Sequence, residues 1–90
     1  MNTIEIYTKS YCPFCQRAKA LLDAKGLAYE EYEVSTDIDK LQEMERRSRR
    51  KTVPQIFING HHVGGSDDLF AAQRSGLLTA LLEGSHKQTA

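Results

Sequence analysis

Cys12 and Cys15, separated by Pro13 and Phe14, are the residues of this chain best placed to do chemistry, and they are its only cysteines. Two thiols at this spacing can exchange with disulfides, supply half of a zinc site, or simply pack as a reduced pair. A disulfide is attacked by a thiolate, and an ordinary cysteine, with a pKa of about 8.5, is only a few per cent ionised at neutral pH. A helix N-terminus or a nearby cation lowers such values to ~3.5–7.5. Lys9 is the cation close by in sequence. A sulfur of low basicity attacks less strongly but leaves more readily, so the larger gain falls in the second half of an exchange. Cys12 is therefore the candidate nucleophile. Cys15, at i+3 on the same helix face, is the candidate resolving thiol. Zinc would need two further ligands, and only His61, His62 and His86 are at hand. The first two fall in a predicted hairpin, where exposed histidines are ordinary.

The elements that must position the thiols follow from periodicity. Ile4, Ile6 and Thr8 alternate with Thr3, Glu5 and Tyr7, which predicts a strand. Pro13 suits the first turn of a helix, where its missing N–H costs little. Ala18, Leu21 and Leu22 continue that helix, and Gly26 fits the residue just past its end. Tyr29 to Val34 reads as a half-exposed second strand, parallel to the first by a right-handed crossover. Thr36 or Asp37 caps a second helix running to about Arg49, with a narrow apolar stripe of Ile38, Leu41 and Met44. Gln55–Ile58 and His61–Gly64 form a hairpin around Asn59-Gly60. Ser66, Asp67 and Asp68 open a third helix with acidic groups at its positive end. Gly76 interrupts it, and Leu77, Leu78, Leu81 and Leu82 give a last amphipathic segment.

Ninety residues form one domain. Its bounds are placed at 1–84, with 85–90 a flexible polar tail. Twelve Lys and Arg balance twelve Asp and Glu, so no global charge points to nucleic acid or a membrane. The longest apolar run, Leu69 to Ala72, is far too short to span a bilayer, and Met1-Asn2-Thr3 does not read as the start of a signal peptide. The expected location is cytoplasmic, where a CxxC pair does redox or metal chemistry rather than stapling. Arg46, Arg47, Arg49, Arg50 and Lys51 form a basic cluster. For Arg46 and Arg47 a solvated helix end is the expected role, and for Arg49 to Lys51 steering of anionic ligands stays open.

Three blocks, Tyr11-Cys12-Pro13-Phe14-Cys15, Thr52-Val53-Pro54 and Gly64-Gly65-Ser66-Asp67-Asp68, together with Lys9, resemble the dithiol glutaredoxins, particularly the small bacterial ones. The resemblance covers about residues 3 to 83. It implies an α/β, thioredoxin-like fold, with a central four-stranded mixed sheet flanked by helices. It also implies a glutathione-dependent thiol–disulfide oxidoreductase with glutathione as co-substrate. The implied partners are disulfide-bonded or glutathionylated proteins, with glutathione reductase and NADPH acting indirectly on a monomeric chain. Lys9 would face the glycyl carboxylate of glutathione, Tyr11 and Phe14 would border the cleft, and Thr52 would fix its loop. A cis Val53–Pro54 peptide would turn the Val53 N–H and C=O toward the thiols, where an extended peptide can pair. A trans proline protecting a sheet edge is the alternative from the residues alone. Gly65, Ser66 and Asp67 would hold the γ-glutamyl end on free N–H groups, although plain helix capping accounts for the same residues. Two departures stand out. Many relatives have a cysteine at the position of Ser66, so side oxidation there is unavailable to this chain. Relatives often have glycine in the loop where this chain has Arg49. One rival function is a glutathione-ligated [2Fe–2S] carrier built from two chains, to which thiolates are suited; Pro13 argues against it. A second rival is a thioredoxin-like protein served by a flavoenzyme reductase.

Overall fold

The computed structural model describes residues 2–87, with side-chain surroundings as far as Leu82. Eight elements follow in order: β1 (Ile4–Thr8), α1 (Pro13–Ala24), β2 (Glu30–Glu33), α2 (Ile38–Ser48), β3 (Gln55–Ile58), β4 (His61–Gly64), α3 (Ser66–Ser75) and α4 (Leu77–Lys87). The strands form one sheet in the order β2-β1-β3-β4. β1 and β2 are parallel, while β3 runs antiparallel to both β1 and β4. This is the mixed four-stranded sheet that the sequence predicts. α4 continues through Gly84 to Lys87, so the backbone of residues 85–87, placed in the tail above, is helical. Residues 88–90 lie outside the described residues.

Strand alternation divides the interior into two layers. Ile4 and Ile6 of β1 and Ile56 and Ile58 of β3 point to one face, where they meet Ala18, Leu22, Leu69, Ala72 and Leu78 from α1, α3 and α4. Tyr7 and Phe57 point to the other face and pack with Val34 and Met44, flanked by Tyr32, Leu41 and Val53. Among the described residues, only α2 of the helices contributes to this second layer, and its apolar stripe is too narrow to cover it.

Arg47 completes the cover and corrects the expectation of a solvated helix end. It follows Met44 by three residues and so continues the Leu41–Met44 stripe inward. Its guanidinium carbon lies 4.0 Å from the Phe57 ring centroid. Nη1 donates to the Tyr7 hydroxyl at 2.7 Å, and Nη2 donates to Glu5 Oε1 at 3.0 Å. The long stem covers apolar surface while the head finds paired acceptors.

Turn chemistry sets the joints. Asp37 caps α2 by accepting the Lys40 N–H at 3.1 Å. Arg49 closes α2 in the left-handed region, with φ 60°. That is the position where glycine is usual at a helix end. Gly76, with φ 86°, separates α3 from α4.

Candidate active site

The thiol pair stands where β1 hands the chain to α1. Cys12 is the N-cap of α1 in extended conformation, and Pro13 takes the first helical position. A loop held by the Cys12 N–H donating to the Lys9 carbonyl, 3.3 Å, brings the chain into the helix. Cys12 Sγ accepts the Cys15 backbone N–H at 3.2 Å. The sulfur thus caps the first turn, satisfying one of the helix's otherwise free N–H groups. On its other side, Sγ lies 3.8 Å from the carbonyl oxygen of Val53, across a gap between distant parts of the chain.

The two thiols differ sharply in environment. Cys12 is partly exposed, whereas Cys15 is fully buried, and both are free. Burial pushes the Cys15 thiol up to about 12, reinforced by its contact with Cys12 and opposed by a backbone hydrogen bond from Lys9 and by the Lys19 ammonium. One sulfur is thus available to substrate and the other is held protonated beneath it.

An open groove of about 190 Å³ runs past Phe14 and Val53, which neighbour Cys12 in sequence and in space, although neither cysteine is itself a lining residue. It is too small to enclose a drug-sized molecule, so a ligand would lie along it with one side in water. Phe14, Thr52, Val53, Pro54, Gly65, Ser66, Asp67 and Asp68 line it. Three separate stretches of sequence meet there, and the Val53–Pro54 peptide is cis. Lys9 and Tyr11 are not among the lining residues. The Tyr11 side chain stands in solvent at 78% exposure.

The glycine that the turn requires is Gly64, not Gly65. Gly65 has φ −91°, and a Cβ there would meet only ordinary contacts. Gly64 has φ 124°, and a Cβ there would collide with the Asp68 side chain. That close approach lets Asp68 Oδ2 accept the Gly65 N–H at 2.9 Å while Arg50 Nη1 reaches the same oxygen at 3.1 Å. Both contacts hold the Asp68 carboxyl below the usual range, the backbone N–H most strongly. Asp68 was legible only as an acidic helix start. Its place in the groove wall depends on the turn before it.

Gln55 and His62 were also missed. Gln55 is fully buried in β3, and His62 is half-buried rather than an ordinary exposed hairpin residue. A signal existed: a lone amide opening the run Gln55-Ile56-Phe57-Ile58 in a central strand must find partners. Among the described residues, no three His, Cys, Asp or Glu side chains come together as metal ligands. No helix among them is long and apolar enough to cross a membrane.

A partly exposed N-cap cysteine, a buried partner one turn on and a facing cis-proline loop define a dithiol oxidoreductase site on a thioredoxin-like sheet. The chain belongs to the glutaredoxin family, whose profile matches residues 4–63. It is 51% identical over 83 residues to glutaredoxin 3 of Escherichia coli, a match covering 92% of this chain and all of that protein. It is 50% identical over 91 residues to glutaredoxin 1 of Rickettsia conorii, covering 99% of this chain and 89% of that one. The solution structure of a Brucella melitensis glutaredoxin superposes with a TM-score of 0.77 at 49% identity, covering 89% of this chain and 87% of that one. A buckwheat glutaredoxin–glutathione complex gives 0.82 at 31% identity, covering 92% and 78%. The protein is a thiol–disulfide oxidoreductase of a family that binds glutathione. These likenesses do not favour the cluster-carrier alternative.

Proposed function

We propose that the chain uses glutathione as co-substrate, reducing protein disulfides through Cys12 and Cys15 together and glutathione mixed disulfides through Cys12 alone. The observation that carries this reading is Cys12 Sγ, partly exposed at a helix N-cap and 3.8 Å from a carbonyl on the groove wall. With a glutathionylated protein, the Cys12 thiolate attacks the glutathionyl sulfur. The protein thiolate leaves and takes up a proton. A second glutathione thiolate then attacks the Cys12-bound glutathione, releasing glutathione disulfide and restoring the Cys12 thiolate. With a protein disulfide, Cys12 bonds to one sulfur and expels the other. Cys15, once deprotonated, attacks Cys12 Sγ, expels the second protein thiolate and closes the internal disulfide. Two glutathiones then reopen it.

In this reading the groove receives the tripeptide. Its γ-glutamyl carboxylate lies on the N–H groups of Ser66 and Asp67 beside Gly65, where a helix terminus suits an anion. Asp67 faces the ammonium. The backbone of Val53, next to Pro54, pairs with the cysteinyl residue in the manner of strand addition. Thr52 and Phe14 border it, and Lys9 and Tyr11 act from outside the groove lining, Lys9 toward the glycyl carboxylate. A cytoplasmic, monomeric enzyme, recharged by glutathione reductase and NADPH, completes the proposal.

The test is turnover coupled to glutathione reductase and NADPH, beside a parallel assay with thioredoxin reductase. Cys12→Ser should abolish both reactions. Cys15→Ser should keep much of the activity toward glutathionylated peptide and lose that toward protein disulfides. A Cys15→Ser protein equally inactive toward both would refute the division of labour. Turnover supported by thioredoxin reductase and not by glutathione would refute the co-substrate.

A further inference from the structure

The Thr52–Val53 wall of the groove is braced from behind by a buried amide. Gln55 Nε2 donates to the Thr52 carbonyl at 3.0 Å and lies 3.2 Å from Thr52 Oγ1. A carbonyl oxygen only accepts, which fixes the orientation of the amide. Gln55 Oε1 then faces His62 Nε2 at 2.7 Å. That oxygen also only accepts, so the His62 proton resides on Nε2. The imidazole is itself steadied by stacking on Phe57, with centroids 4.9 Å apart and planes 31° from parallel. Phe57 in turn carries the Arg47 guanidinium at 4.0 Å. An ordered chain of contacts therefore runs from α2 through β3 and β4 to Thr52, the residue before the carbonyl that faces Cys12.

We propose that Gln55 and His62 are positioning residues, which set the placement of the Thr52–Val53 backbone opposite Cys12 and thereby the affinity for the glutathionyl group that pairs with it. The inference rests on the reading that Val53 receives the substrate backbone. Its physical basis is the cost of an unpaired buried amide. Without the His62 donor, Gln55 Oε1 has lost its partner inside the protein. With an apolar ring in place of His62 and no donor beside Oε1, the amide turns to find a partner, which releases its Nε2 bonds to Thr52. Cys12 Sγ is held by the Cys15 N–H at 3.2 Å and meets this chain of contacts only through the long 3.8 Å approach to the Val53 carbonyl, so the effect falls on binding rather than on the exchange step.

His62→Phe keeps a ring against Phe57 and removes the donor, whereas His62→Gln restores an N–H donor on a shorter arm. For His62→Phe, KM for a glutathionylated peptide should rise roughly five- to tenfold, about the loss of one neutral hydrogen bond. Its kcat and the rate of Cys12 alkylation by iodoacetamide should stay within about twofold, because binding alone is affected. His62→Gln should recover most of the lost KM. A folded His62→Phe protein with unchanged KM, or one that loses kcat at constant KM, overturns the proposal. The unaltered protein provides a second measurement that does not depend on the variants folding. On titration with S-methylglutathione, whose capped sulfur cannot exchange with Cys12, the Gln55 side-chain amide signals should shift together with the Val53 backbone N–H. Val53 shifting while Gln55 and His62 stay still would also overturn the proposal. Val53 itself staying still would instead refute the reading on which it rests.

Discussion

Closure of the internal disulfide should be limited by the proton on Cys15. The perturbation is pH, applied to the mixed disulfide between Cys12 and glutathione. Cys15 is fully buried and its thiol is pushed up to about 12 in the reduced protein, with burial as the largest cause. Bonding Cys12 to glutathione removes the neighbouring sulfur's charge but leaves the burial. That value is a ceiling for the mixed disulfide; at the ceiling, about one Cys15 in 10⁵ is ionised at pH 7, against a few per cent of ordinary thiols, a deficit of at most roughly 3,000-fold. The higher basicity of such a thiolate returns roughly 25- to 60-fold through a Brønsted slope of 0.4–0.5. A net handicap on the order of a hundredfold remains, which an effective molarity of up to ~10⁵ M readily offsets. Closure should therefore be fast yet steeply pH-dependent. Reduced protein would be mixed with glutathione disulfide, quenched in acid at short times and analysed by mass spectrometry for conversion of the mixed disulfide to the internal one. Between pH 9 and 10 the rate should rise about tenfold, whereas a thiol of ordinary pKa would gain only about 1.3-fold. A rate that levels off by pH 9 would show that Cys15 is not held protonated by its surroundings.

Other substitutions test the frame around the site. Arg47→Met keeps an apolar stem but removes the donors to Tyr7 and Glu5 and the charge over Phe57. It should cost about 2–4 kcal/mol, or roughly 10–25 °C in Tm, and a loss under about 0.5 kcal/mol would return Arg47 to the role of a solvated helix end. Arg49→Gly should stabilise by about 0.5–1 kcal/mol, because glycine accepts the left-handed conformation at φ 60° without a Cβ penalty. Urea midpoints measure this, and a variant no more stable than the parent counts against it. Ser66 Oγ is buried and finds no hydrogen-bond partner among the described residues. Ser66→Ala should be neutral or more stable by up to about 1–2 kcal/mol, and a clear destabilisation would reveal a partner. Asp68 has its carboxyl lowered by the Gly65 N–H and by Arg50, so the folded state binds its proton less readily than the unfolded chain. Its contribution to stability is present above the ordinary carboxylate pKa of about 3.9 and fades as pH falls through the lower folded value. Asp68→Asn should remove that part of the acid dependence, and parallel stability–pH curves for the two proteins would contradict it.

Local chemistry wrote most of the fold into the order of residues. β1 shows its alternation, Asn59-Gly60 its hairpin, Thr36-Asp37 the start of α2, and Cys12-Pro13 the start of α1, because each depends on neighbours within a few positions. Two thiols one helical turn apart lie on the same face whatever surrounds them, but that spacing left exchange, zinc binding and packing open, and the resemblance of three blocks to the dithiol glutaredoxins chose exchange. Tertiary structure decided the rest. It buried Cys15 while leaving Cys12 accessible, and so made two identical side chains chemically unequal. It turned Arg47 from a helix-end cation into the cover of a core layer, and it set a demand for glycine at Gly64 by packing Asp68 against it. It also joined Thr52, Gln55 and His62 through a buried amide. None of these follows from residue type or spacing alone. Each depends on which strand lies beside β3 and on how much water reaches an atom, quantities that exist only once distant segments have packed.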